Sequence, residues 1–273
     1  QSLCQRGIWK AVESSAEMGG NSFALFLGSQ RSWKRPALDP RAAEKFQERR
    51  ARWDFDPAHI LPHGSYLMNC GSPKDVFEKS RDLLVDELSR CSLLGLGLYN
   101  FHPGSSLGAI TTEQCVEKIA GAINHAHQQT PAVVTLENMS GQGSTIGGKF
   151  SELRSIIDKV RDQSRVGVCL DTCHAFAAYD LSAEGGAAAM FEEFDQEVGL
   201  HYLRAVHLND SKKLGCHLDR HEDIGKGNIG ISAFRDIVNE PRLDNIPLIL
   251  ETPGPGFEYA EQIDLLYSLC EKK

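Results

Sequence analysis

The chain has 273 residues, 41% of them hydrophobic and 24% charged, and a net charge of −8. That length suits one α/β barrel of roughly 250 residues, and one domain over residues 1–273 is expected because no linker or low-complexity tract divides it. No apolar run nears the ~20 residues of a membrane span, no signal-peptide pattern opens the chain, and the acidic balance alone argues against a polyanionic partner.

Residues 1–6 make a poor strand, and without an initiator Met the start reads as processed or truncated. Residues 22–27 form the first good strand. Six more short apolar runs follow at 58–63, 97–102, 132–137, 166–171, 203–207 and 247–251. Helical periodicity fills the gaps at 75–94, from 111 past Ile123, and at 151–160, 184–200 and 232–238. Alternating strands and helices predict a parallel sheet. The expected fold class is an α/β TIM (β/α)8 barrel with its first strand doubtful or missing. Two neighbouring strands would then expose unpaired edges.

Each of the last six strand runs ends on a metal-ligand type: His63, His102, Glu137, Asp171, His207 and Glu251. Alone, a strand-end His is more often a hydrogen-bonded structural residue, and a strand-end carboxylate more often a helix cap. Six in a row are different, because parallel strands bring all their C-terminal ends to one face. His174 lies one turn beyond Asp171, and Asp219-Arg220-His221 offers two ligands at i and i+2, on one side of an extended segment. Five imidazoles and four carboxylates suit zinc, with manganese or iron as substitutes. Nine ligands exceed the needs of one ion, and three ions with a shared carboxylate are the natural count. Bound cations would also reverse the local sign of an acidic chain.

Eight cysteines without a Cys-x-x-Cys pair read as reduced thiols of an intracellular protein. The Gly141–Gly147 stretch lacks P-loop spacing and is expected to be a flexible loop on the active face. His125 and His127 are expected at the surface. Residues 31–35 and Lys212-Lys213 are basic patches that follow strands.

Several motifs, His63-Gly64-Ser65-Tyr66-Leu67-Met68-Asn69, Phe101-His102-Pro103-Gly104-Ser105, Glu137-Asn138, residues 167–174, residues 207–212, Asp219-Arg220-His221 and Leu250-Glu251-Thr252, resemble endonuclease IV, a family of zinc-dependent apurinic/apyrimidinic endonucleases. The resemblance spans about residues 7–270. It implies three zinc ions: one on His63, His102 and Glu137, a second sharing catalytic Glu137 with Asp171, His207 and Glu251, and a third on His174, Asp219 and His221. It further implies hydrolysis 5′ to abasic sites in duplex DNA, removal of 3′-blocking groups and a monomeric state. Arg31, Tyr66 and Leu67 would enter the DNA stack, and Arg220 would contact phosphate. The expected location is nucleus or mitochondrion in a eukaryote and cytoplasm in a bacterium.

The chain departs from the family pattern in residues 1–6, in a loop from His207 to Asp219 one residue shorter than usual, and in Met68 where Ile or Val is common. Two alternatives stand beside the endonuclease: a catalytically impaired abasic-DNA-binding variant, and a metal-dependent sugar isomerase or epimerase on the same barrel.

Overall fold

The computed structural model describes residues 7–214 and 217–271. In chain order the strands are β1 (Phe23–Phe26), β2 (Ile60–His63), β3 (Leu98–Phe101), β4 (Val133–Glu137), β5 (Val166–Asp171), β6 (Leu203–Leu208), β7 (Asp210–Ser211), β8 (His221–Glu222) and β9 (Leu248–Leu250). Seven of them form one sheet in the order β1-β2-β3-β4-β5-β6-β9, and every pairing in it is parallel. The short β7 and β8 pair antiparallel as a separate hairpin. The helices are α1 (Lys10–Glu17), α2 (Pro40–Arg52), α3 (Val76–Leu93), α4 (Thr112–His127), α5 (Phe150–Lys159), α6 (Thr172–Ala175), α7 (Gly186–Glu197), α8 (Ile231–Val238) and α9 (Gly256–Leu269). All seven predicted strand runs and all five predicted helices are present, with ends displaced by a few residues.

Local chemistry explains the helix starts. Thr111 and Gln114 form a reciprocal capping box at the head of α4, with bonds of 3.2 and 3.0 Å. The α2 helix escapes periodicity because only Ala43 and Phe46 are buried along its polar length. It is set instead by Pro40 at its first turn and by Asp39, which accepts the Arg41 N–H at 3.0 Å.

Successive strand residues point to opposite faces. Leu25, Ile60, Tyr99, Val134, Leu136, Val168, Leu170 and Val206 belong to the main core shared with the helices. Ala24, Leu61, Cys169, Ala205 and Ile249 form a second cluster, the layer that fills the barrel interior. His63, Asp171, His207 and Glu251 each lie two residues beyond a member of that layer, so the inward face continues from apolar plug to polar mouth.

β1 and β9 flank a seam, and among the described residues no strand lies between them. The Ser22 hydroxyl donates to the Leu248 carbonyl at 2.9 Å. A cavity of about 1150 Å³ opens there, with Phe23, Ile249, Phe257 and Tyr259 in its walls. The doubtful strand at residues 1–6 lies outside the described residues.

His127, expected at the surface, is instead buried near the end of α4 at 8% exposure. Its carbonyl accepts from Arg165 at 2.9 Å. Burial, with the Arg165 charge next in weight, pushes the imidazole pKa down to about 4 from its ordinary 6.5. Its contribution to stability is therefore complete above pH 6.5 and is lost as pH falls toward 4. At about 1.4 kcal/mol per unit, roughly 2 kcal/mol should be lost by pH 5. His127→Gln should narrow the fall in melting temperature between pH 7 and pH 5 relative to the parent. An equal fall in both proteins would mean that the folded-state imidazole is not held neutral.

Candidate metal centre

The nine predicted ligands converge at the C-terminal mouth of the barrel. His63, His102 and Glu137 each present a donor atom within 4.8 Å of the others, as do Glu137, Asp171, His207 and Glu251, and also His174, Asp219 and His221. Glu137 is the member common to the first two sets. Its Oε2 lies 3.2 Å from His63 Nε2 and 3.5 Å from His102 Nε2, and its Oε1 lies 3.3 Å from His207 Nδ1. In the third set, Asp219 faces His174 Nε2 at 3.3 Å and His221 Nε2 at 3.0 Å.

Each side chain arrives by an identifiable local device. Asp171 ends β5 and caps the single turn α6, accepting the His174 N–H at 2.8 Å, which turns His174 back into the cluster. Asp219 and His221 come from the β7–β8 hairpin, where alternation sends Arg220 to solvent. Three imidazoles are oriented through the backbone: Nδ1 of His63 contacts the Gly64 carbonyl at 2.8 Å, that of His174 the Asn138 carbonyl at 2.8 Å, and that of His221 the Glu251 carbonyl at 3.2 Å. A proton on Nδ1 then leaves the Nε2 lone pair facing the carboxylates, the tautomer a metal ligand needs.

Three buried asparagines support the carboxylate ligands, two at the carboxylate itself and one through the backbone. Asn100 donates to Glu137 Oε2 at 2.6 Å. Asn138 accepts the Asp171 N–H at 2.6 Å. Asn209 donates to Asp171 Oδ2 at 2.6 Å and accepts the Glu251 N–H at 3.1 Å, tying two members of one set together. None of the three is a metal-ligand type, so ligand chemistry does not single them out in the sequence, although Asn138 and Asn209 stand within the quoted motifs. Cys173 also escapes the sequence reading. Its sulfur groups with Asp171 and His221, but burial pushes its thiol up to about 12, so it is protonated here.

The electrostatics fit cation binding. Burial disfavours charge on Glu137, yet His207 and His102 outweigh it and hold the carboxyl well below the usual range. Burial likewise opposes protonation of His174 and His221, but Asp171 and Asp219 raise these imidazoles to about 10 and about 9. The carboxylates thus demand positive charge, and metal binding at such a site displaces protons. Glu137 Oε1, His174 Nε2, His207 Nδ1 and His221 Nε2 are buried without a hydrogen bond among the described residues, although ion-pair contacts reach them. Buried polar atoms are rarely left so, and oxygen- and nitrogen-ligated divalent ions in the separate sets would satisfy all four.

Around this mouth Tyr66 is 55% exposed, its ring centroid 5.2 Å from His63 and 5.4 Å from His102. Leu67 is half-buried beside it, and Arg31 and Arg220 are exposed on neighbouring loops. The basic patch at 31–35 is smaller than expected, because Arg35 is buried against Glu87. The glycine-rich loop is not the free loop expected: Ser144 accepts from the Ser105 hydroxyl at 3.0 Å, and the Ser140 hydroxyl donates to the His217 carbonyl at 3.1 Å. Gly104 next to it takes φ +130°, and a Cβ there would lie 2.5 Å from Asn69 Oδ1. Met68 is buried and fits the core. Six cysteines (70, 91, 115, 169, 173 and 270) are free thiols, whereas Cys4 and Cys216 lie outside the described residues. So does Gly215, within the 207–219 loop. No described helix is long and apolar enough to cross a membrane.

A family model described as xylose isomerase-like TIM barrel matches residues 12–269. The chain is 50% identical over 269 residues to a probable endonuclease 4 of Chlorobium phaeobacteroides (strain BS1), covering 97% of this chain and 94% of that one. A probable endonuclease 4 of Chlorobium phaeovibrioides is 48% identical over 96% of this chain and 95% of its own. The crystal structure of endonuclease IV from Thermus thermophilus superposes with a TM-score of 0.85 at 33% identity, covering 97% of this chain and 94% of that chain. Sequence identity along nearly the whole chain, on the same parallel barrel, places this protein in the endonuclease IV family.

Proposed function

We propose that this endonuclease hydrolyses the phosphodiester 5′ to an abasic nucleotide in duplex DNA, leaving a 3′-hydroxyl, and removes 3′-blocking groups with the same site. The observation that carries the reading is the convergence of nine imidazole and carboxylate groups in three sets, two of them joined through buried Glu137. Three zinc ions are assigned to these sets, replaceable by manganese or iron. Bound there, they supply the positive charge that acidifies water and stabilises a phosphate under attack.

The side chains supply the rest. Glu137 is held at the centre by Asn100, and its two oxygens face opposite sets, so it bridges them. Asp219 and His102 are partly open to solvent while Glu137, Asp171 and His207 are sealed beneath them, so phosphate enters from the Asp219–His102 side. Tyr66 covers the His63–His102 edge, Leu67 serves as an apolar wedge and Arg31 enters the stack beside them, while Arg220 contacts phosphate. An abasic nucleotide is cheaper to extrude than a paired one, which contributes to selectivity.

Protein with quantified zinc should cut a duplex carrying one synthetic abasic site on its 5′ side, and Glu137→Gln should lower the rate by roughly 10³-fold. An intact duplex with fully loaded parent would sink the endonuclease reading. A second reading is a protein that binds abasic DNA without turnover, and binding without cleavage would establish it. Asn209→Ala, which frees both Asp171 and the Glu251 amide, should weaken zinc affinity about 10–100-fold in a chelator competition. Unchanged affinity would remove Asn209 from the support of the site.

A further inference from the structure

Glu87 projects from α3, outside the nine-residue cluster, and its side chain is fully buried. Its carboxylate gathers donors from three separate segments. Oε1 pairs with the Arg35 guanidinium, Oε2 accepts the Tyr99 hydroxyl, and the Ser65 amide reaches Oε2 at 3.4 Å. Arg35 closes the loop that carries Arg31 and also holds the Ser29 carbonyl at 3.0 Å. Ser65 opens the turn that carries Tyr66 and Leu67, and its hydroxyl accepts the Leu67 N–H at 3.3 Å. Tyr99 lies on β3, three residues before His102. The turn packs closely on the same phenol, since a Cβ on Gly64 would lie 2.8 Å from the Tyr99 oxygen. One helical turn on, Arg90 donates to the Pro36 carbonyl at 2.7 Å, so α3 grips the Arg31 loop twice.

A buried ion pair is a weak source of stability, because desolvation offsets its attraction and apolar pairs of similar volume do as well or better. It differs from an apolar contact in geometry. A guanidinium and a carboxylate satisfy one another over a narrow range of positions, whereas apolar groups slide. We propose that Glu87 is a positioning residue for the substrate-facing rim, fixing the Arg31 loop, the Tyr66–Leu67 turn and the strand leading to His102 relative to one another. The inference rests on the reading of Arg31, Tyr66 and Leu67 as DNA contacts.

The test compares the zinc-loaded full chain with Glu87→Gln and with the double variant Glu87→Leu, Arg35→Met. Glu87→Gln should raise KM for an abasic duplex about tenfold, the order expected when rim side chains must be re-ordered on binding, with kcat within about twofold and zinc content unchanged. Amide exchange should accelerate in residues 28–36 and 64–68. The double variant, free of the unpaired buried charge, should regain the parent melting temperature while KM stays high. Recovery of KM together with melting temperature would overturn the proposal and leave Glu87 a purely structural residue. Unchanged exchange in both segments would overturn it as well. A parent that neither binds nor cuts the duplex would instead defeat the endonuclease reading, and the exchange arm would still decide the role of Glu87.

Discussion

A carboxylate sealed from water needs positive charge close by, and the C-terminal mouth of this barrel is arranged around that need at Glu137. Transfer of an unpaired carboxylate into a protein interior costs several kcal/mol or more even after relaxation. Glu137 meets the demand with His63 and His102 on one oxygen and His207 on the other. Asp171 and Asp219 repeat the demand a few ångströms away, and His174 and His221 rise to meet it. The cluster is therefore balanced only when protons or metal ions occupy it. The same property that makes it costly as a piece of core makes it effective as a cation site.

Such a centre cannot hold itself in place, because like charges repel and imidazoles rotate. The strands below supply rigidity through the small apolar layer of Ala24, Leu61, Cys169, Ala205 and Ile249. Asn100 and Asn209 then fix the carboxylates from the side, Asn138 holds the Asp171 backbone, and backbone carbonyls fix the rings of His63, His174 and His221. The hairpin that brings Asp219 and His221 has its own anchor. Buried Asp210 accepts the N–H groups of Gly225, Gly227 and Ile229 at 3.0, 3.0 and 2.9 Å, which frames the loop beyond β8.

An acidic chain with a net charge of −8 is a poor partner for DNA at long range. Local charge has to reverse that, and bound cations in the mouth would do so. Arg31, Lys34 and Arg220 are exposed near the mouth, whereas Arg35 is committed to Glu87 and Arg90 to Asp86 and Pro36. These two arginines spend their charge on holding loops still rather than on attracting a polyanion.

The strands, their order and the convergence of nine side chains were legible in the sequence because each rests on a short-range rule. Apolar runs mark strands, period 2 sets which face each residue takes, and parallel connection sends every strand end to one side. The Asp219-x-His221 pair was readable for the same reason. What tertiary structure alone decided depends on partners remote in the chain. Helix α2 has a burial stripe too thin to stand out, and His127 looks like a surface residue until Arg165 and the chain around it bury it. Arg35 reads as part of a basic patch until Glu87, 52 residues away, claims it. Asn209 acquires its role only when Asp171 and the Glu251 amide arrive from 38 and 42 residues away. Local pattern states which way a side chain points, but only the folded chain states what it meets there.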